Sequence, residues 1–289
     1  MKRVFSCLIC ALLLCAAALP VPVRADTGPK PVLNIRVKNA PDCFYYLDLL
    51  IQDPGRYDNL EHGASAPYDP SLLSGLHRWE SEGWYPAFAG GTKAPLFGDL
   101  VGTRTGGDLL HSFTYHGLPA TFRIAVSSAD GTVQAVSRSF TRTAFHTSLT
   151  YDYASNTISQ VTPVWLSYLV QFISTCLPTL VIEGLFLMLF GFSLWENRMV
   201  FLTVNLITQA LLTTVTGSFL ILLGMQFLYY PALLLAELIV FALEAGVYAR
   251  ALRGHTVKRR IAYALCANTA SCIFGLLTLR PLASFLQTL

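Results

Sequence analysis

The sequence predicts an exported all-β, sandwich-like domain followed by an all-α four-helix transmembrane bundle. Three observations predict it. The chain has 289 residues, is 53% apolar and carries only 13% charged residues, against roughly 25% in an ordinary soluble domain. Its acids crowd before residue 153, and from Val164 onward only Glu183, Glu196, Glu237 and Glu244 remain. Short alternating segments separated by turn residues fill the first half, and apolar stretches long enough to span a bilayer fill the second.

The first 25 residues read as a secretory signal. Lys2 and Arg3 form a basic start, Phe5 to Leu19 an apolar run, and Val23-Arg24-Ala25 a cleavage site after Ala25. An uncleaved first helix is the competing reading, but Pro20 and Pro22 end the run near the minimum spanning length. Cys7, Cys10 and Cys15 leave with the signal and Cys176, Cys266 and Cys272 lie in apolar segments. Cys43 is then alone in the exported part, with no partner for an internal disulfide.

Residues 26–160 form the exported β-domain. From Val32 to Lys38, Leu33, Ile35 and Val37 alternate with polar residues, the pattern of a half-buried strand. Asn39-Ala40-Pro41-Asp42 is a turn, and Phe44 to Ile51 a second strand with Tyr45, Leu47, Leu49 and Ile51 on one face. The two are expected to pair as a hairpin. Residues 52–108 are rich in Gly, Pro, Asp and Ser, with a short helix expected between Leu72 and Trp84. Strands return at Leu110–Tyr115, Thr121–Ser127, Thr132–Phe140 and His146–Tyr153. Asp130-Gly131 makes the hairpin turn between the middle two. Six short strands suggest a small sandwich. Tyr45, Tyr46, Tyr57, Tyr68, Trp79, Trp84 and Tyr85 read first as packing aromatics and second as a glycan or peptide site. His111 and His116 fall on opposite faces of a strand and make a poor metal pair; with His146 they read as ordinary histidines.

Residues 161–289 form the membrane domain, with spans at Val164–Phe192, Met199–Leu220, Pro231–Tyr248 and Ile261–Leu279. Arg250, Arg253, Lys258, Arg259 and Arg260 crowd the connection between the third and fourth spans, which by the positive-inside rule faces the cytoplasm. Residues 26–160 are then extracellular, as the signal also requires. A contact of the basic run with anionic headgroups is the secondary reading.

Glu183, Glu237 and Glu244 lie within these spans. An ionisable side chain there costs roughly 3 kcal/mol or more and by default marks a functional site. By depth, Glu183, Asn205, Glu244 and Asn268 come within reach of one another, while Glu237 lies two turns above Glu244 with Gln209 at a depth to reach it. One reading is a buried acid and amide cluster that binds a cation or relays protons. The other is interhelical glue, with Asn and Gln donating to acids that burial tends to neutralise. No Lys or Arg inside a span pairs the acids. No His lies in a span, and neither a phosphate-binding P-loop nor a Gly-x-Ser-x-Gly elbow occurs, so no catalytic residue, metal or cofactor is expected and the protein is read as a non-enzyme.

The leader Ala25-Asp26-Thr27-Gly28-Pro29-Lys30-Pro31 resembles the start of an uncharacterised family of signal-peptide-bearing multi-helix membrane proteins from Gram-positive anaerobic bacteria. Thr121-Phe122-Arg123-Ile124, Arg142-Thr143-Ala144-Phe145, Glu183-Gly184, Asn205 to Gln209, and Glu237 with Glu244 are similar too. The resemblance spans most of the mature chain and implies the same layout of signal, β-domain and helices. It assigns no activity and no functional residue.

The function expected from these residues is that of an integral cell-envelope membrane protein. Its β-domain binds an external protein or glycan partner and its helices sit in the lipid bilayer. The alternative is a small transporter, or an accessory subunit of one, using the intramembrane glutamates. The basic run is too short for a nucleic-acid partner.

Overall fold

A computed structural model describes residues 28–62, 68–136, 138–224 and 229–288. The expected signal and its cleavage site lie outside the described residues.

Among the described residues, ten strands form two sheets. The first has the order β10 (Thr157–Gln160), β9 (His146–Asp152), β1 (Val32–Lys38), β5 (Asp108–Thr114), β4 (Thr103–Thr105). The second runs β3 (Tyr85–Pro86), β2 (Tyr45–Ile51), β6 (Thr121–Ser128), β7 (Val133–Ala135), with β8 (Phe140–Thr141) also paired to β6. Their inner faces share one core of Leu33, Ile35 and Val37 from β1, Leu47 and Leu49 from β2, Phe113 from β5, and Ile124 and Val126 from β6. This is the two-layer arrangement that alternating strands require, each burying one face against the other sheet.

The expected hairpin of the first two strands does not form. β1 pairs β5 antiparallel and β9 parallel, whereas β2 pairs β3 and β6. The turn at Asn39–Asp42 carries the chain from one sheet to the other. The expected strand Thr132–Phe140 is two short strands, β7 and β8. The Asp130-Gly131 turn forms, with Ser128 N–H donating to Thr132 O at 2.9 Å and Gly131 at φ +87°. The helix expected between Leu72 and Trp84 is α1 (Pro70–Leu76) followed by a 3₁₀ turn, His77–Glu82. Asp69 caps α1 by accepting from Ser71 N–H at 2.8 Å.

β2 is buried along its whole length because its outer face is covered as well. A short helix, α2 (Ala87–Gly90), lies there and is held by the Asp48 carboxyl, which accepts from Leu49 N–H at 2.6 Å, Phe88 N–H at 2.9 Å and Ala89 N–H at 2.8 Å. On the same face Gly75 of α1 meets Ser127 of β6. A Cβ on Gly75 would stand 2.2 Å from Ser127 Oγ, so only glycine permits that approach.

The second half is four helices: α3 (Val164–Leu189), α4 (Leu194–Gly217, continued by a π-helical turn Ser218–Leu222), α5 (Tyr229–Ala251) and α6 (Val257–Thr288). Each is long and apolar enough to cross a membrane, so the chain fits a multi-pass membrane protein. The helices extend past most of the expected span limits because polar caps continue them: Ser193 caps α4 and Thr256 opens α6. α3 instead stops at Leu189, before the expected Phe192, because Gly191 turns the chain at φ +79°. α3 neighbours α4 and α6, and α5 neighbours the same two, which closes a four-helix ring. Its outward faces expose Leu177, Val181, Leu185, Ile207 and Leu277, a surface suited to lipid.

The basic connection sits at the end of the bundle away from the β-sheets. There His255 Nε2 is 2.9 Å from Gly191 O, and Asn197 binds both Arg253 O at 3.3 Å and Arg253 N–H at 2.7 Å. At the opposite end Phe145 N–H, just before β9, donates to Ile221 O in the π turn at 2.8 Å. The last carbonyls of a helix have no partner within it, and the β-domain supplies a donor to one of them.

Candidate functional site

The polar side chains of the four helices collect on the axis of the bundle in three tiers. Nearest the basic end, Asn205 of α4 is fully buried and donates through Nδ2 to Phe201 O at 3.0 Å and to the Tyr248 hydroxyl at 2.8 Å. Tyr248 packs against Tyr263 of α6, ring centroids 5.4 Å apart.

The middle tier holds two acids. Glu244 of α5 is bracketed: Thr208 Oγ1 lies 2.6 Å from Oε1, and Asn268 Nδ2 donates to Oε2 at 2.7 Å. Glu183 of α3, only 1% exposed, has Oε1 at 3.2 Å from Ser271 Oγ, whose single proton it shares with Asn268 O at 3.1 Å. Its second oxygen, Oε2, has no hydrogen-bond partner.

The outer tier surrounds a cavity of about 70 Å³ between all four helices. One water requires about 10–15 Å³, so a few fit. Glu237, Gln209 and Gln171 line it, with Thr213, Ser174 and Cys272 among their neighbours. Gln209 Nε2 donates to Thr179 Oγ1 at 3.3 Å and Gln171 Nε2 to Thr216 Oγ1 at 2.9 Å. The amide oxygens of both glutamines are buried without a partner.

The residues proposed from sequence thus occupy one axis and pair in part as expected. Asn268 donates to Glu244. Asn205 is bonded to Tyr248, and Gln209 to Thr179, not to Glu237, whose cavity it shares. Sequence reasoning missed Thr208 and Ser271, because hydroxyls are common in apolar helices and usually bond back to the carbonyl four residues earlier. It also missed Gln171, an uncharged polar residue within an apolar span, detectable by the criterion that found Gln209. Among the described residues no group of three His, Cys, Asp or Glu is placed to hold a metal ion.

In the β-domain the aromatic residues divide. Tyr45 and Tyr46 are buried, and Trp79 packs on the core. Trp84 also packs on the core, and in addition it lines an open groove of about 350 Å³ with Asp53, Lys93, His116 and Thr121. Asp53 and Lys93 are ion-paired. His111 and His116 do not meet: His111 faces Tyr45, 3.3 Å from Nε2 to the hydroxyl, and His116 faces Lys30 at 3.0 Å. Burial pushes His111 down to about 4.

Comparisons with protein-family models, with curated proteins and with solved structures found no match.

Proposed function

We propose that this is a multi-pass cell-envelope protein that passes protons or small cations along the acid and amide axis of its helical bundle. One observation carries the reading. Among the described residues five buried oxygens of the bundle have no partner; the Tyr263 hydroxyl carries its own proton, and the other four, on Gln171, Glu183, Asn205 and Gln209, are acceptors without a donor. A buried acceptor without a donor is costly. A species that supplies positive charge or protons fits all four. At the middle tier, Asn205 lies beside Glu183. At Glu244 the Thr208 hydroxyl accepts from a protonated carboxyl or donates to an ionised one, its other acceptor being Val204 O at 3.0 Å. That pair therefore accommodates gain and loss of a proton without rearrangement.

The β-domain is placed outside the cell in this reading and the basic turns inside. The experiment replaces Glu183, Glu237 and Glu244 singly by Gln in the full chain. It measures folded yield and proton- or cation-dependent flux in proteoliposomes. Preserved yield with lost flux supports the reading; a parent protein without flux overturns it.

A second reading is favoured by the groove at Trp84, whose volume suits a small ligand. An aromatic ring flanked by an ion pair and hydroxyls suits a glycan, so the β-domain also serves as an external binding module. Unchanged binding of cell-wall glycan fragments by Trp84→Ala protein would remove it.

A further inference from the structure

We infer that the outer cavity is a site for a dehydrated monovalent alkali cation, with Gln171, Gln209 and Glu237 supplying oxygen ligands. The site rests on the ion-handling reading and adds to it a second, non-protonic species.

The orientation of Gln171 is decided by its neighbour. The Thr216 hydroxyl has one proton, and that proton is directed to Leu212 O at 2.8 Å. Thr216 Oγ1 can then only accept, so Gln171 must present Nε2 to it. The unpartnered atom is therefore the amide oxygen, in a residue 2% exposed on the cavity wall. Gln209, 7% exposed, places a second unpartnered amide oxygen on the same wall. Amide oxygens do not take up protons near neutral pH, but they do coordinate cations. A hard cation that has shed water needs such neutral oxygens.

Charge and size select the class of ion. Glu237 is the one acid lining the cavity, which balances a single positive charge. A divalent ion would need more carboxylates than the described residues bring together. About 70 Å³ admits an alkali ion with a few waters. The backbone makes room for these side chains: a Cβ on Gly217 would stand 2.6 Å from Tyr168 Cε1 and 2.8 Å from Gln171 Oε1. The vertical order then sets an alkali site in the outer half of the bundle, next to Glu237, and the proton-bearing pair Glu183 and Glu244 nearer the basic end.

The test uses the purified full chain in detergent at fixed pH and ionic strength, unfolded by heat in sodium, potassium, lithium or N-methylglucamine chloride. A site of this kind raises the midpoint saturably with one or more alkali ions, following mass action, and not with N-methylglucamine. Gln171→Leu weakens the apparent affinity about tenfold or more, as expected when one ligand is lost. Gln171→Glu, which keeps the oxygen, retains or tightens binding. If Gln171→Leu fails to fold, the parent series and Gln171→Glu still decide. Equal midpoints in all four salts overturn the site and leave a water-filled cavity. Proton flux without alkali dependence removes this site but not the proposed function; alkali stabilisation without any flux does the reverse.

Discussion

Asn268 donates to the Glu244 carboxyl at 2.7 Å while the same nitrogen donates to Ala264 O at 2.9 Å. The carbonyl bond locks the amide, since only Nδ2 can satisfy it. Glu244 therefore always faces a donor on α6, whatever its protonation state. This tie joins α5 to α6 in the middle of the bundle.

Asn268→Leu is expected to lower bundle stability by about 1–2 kcal/mol, the upper range for interhelical hydrogen bonds in membranes. Glu244→Gln in the same background recovers part of the loss, because the acid without its donor is the costly species. Heat or denaturant unfolding of the single and double variants gives the coupling.

The contact between the β-domain and the bundle depends on Gly224. It sits at φ +71°, and a Cβ there would lie 2.6–2.8 Å from the Phe145 ring. Gly224→Ala combines a left-handed backbone penalty of about 1–2 kcal/mol with that clash, and is expected to release Phe145 from Ile221. Faster limited proteolysis between residues 141 and 146, with the β-domain itself still resistant, is the expected outcome.

Two buried groups of the β-domain impose opposite pH dependences. Burial raises Asp48 to about 6 from an ordinary 3.8, against the pull of its three backbone N–H donors. The folded state then holds more protons than the unfolded one between those values, so Asp48 contributes stability that is complete below about 3.8 and lost as pH rises to about 6. His111 is depressed to about 4 from 6.5, so its contribution is complete above 6.5 and lost as pH falls towards 4. Relative to the parent, Asp48→Asn stability should rise with pH across this window and His111→Gln stability should fall. Thermal midpoints at several pH values check both signs.

An epitope inserted at the exposed Ala129-Asp130 turn is expected to be cut by external protease in intact protoplasts. A tag at the basic turn near Gly254 is expected to survive until the membrane is opened. The reverse pattern would invert the proposed orientation.

Much of the fold was legible because local chemistry decides it. Leu33, Ile35 and Val37 alternate as an inward face must, and Asp130-Gly131 supplies the turn it advertises. The partner of β1 was not legible. Its parallel pairing with β9 joins Val32 to His146, and nothing near Asn39–Asp42 says that the chain changes sheets there. β2 also lacks clean alternation, because Tyr46, Asp48 and Leu50 are buried under α1 and α2 as firmly as Leu47 and Leu49 are in the core. In the bundle the acids announce themselves by their cost in hydrocarbon. Their hydroxyl partners, Thr208 and Ser271, do not, since a hydroxyl satisfied by its own helix costs little. Depth along a helix can be counted from sequence, but rotation cannot, so Gln209 was placed at the level of Glu237 without its bond to Thr179.

The central claim is that the intramembrane carboxyls change protonation or coordination when an ion arrives. Infrared difference spectroscopy of the full chain in lipid, with and without alkali chloride, reads those groups directly. The account predicts a carboxyl difference band in the parent, diminished in Glu237→Gln and in Glu244→Gln proteins that remain folded. A spectrum unchanged by every cation and by pH would show that the acids are fixed structural links.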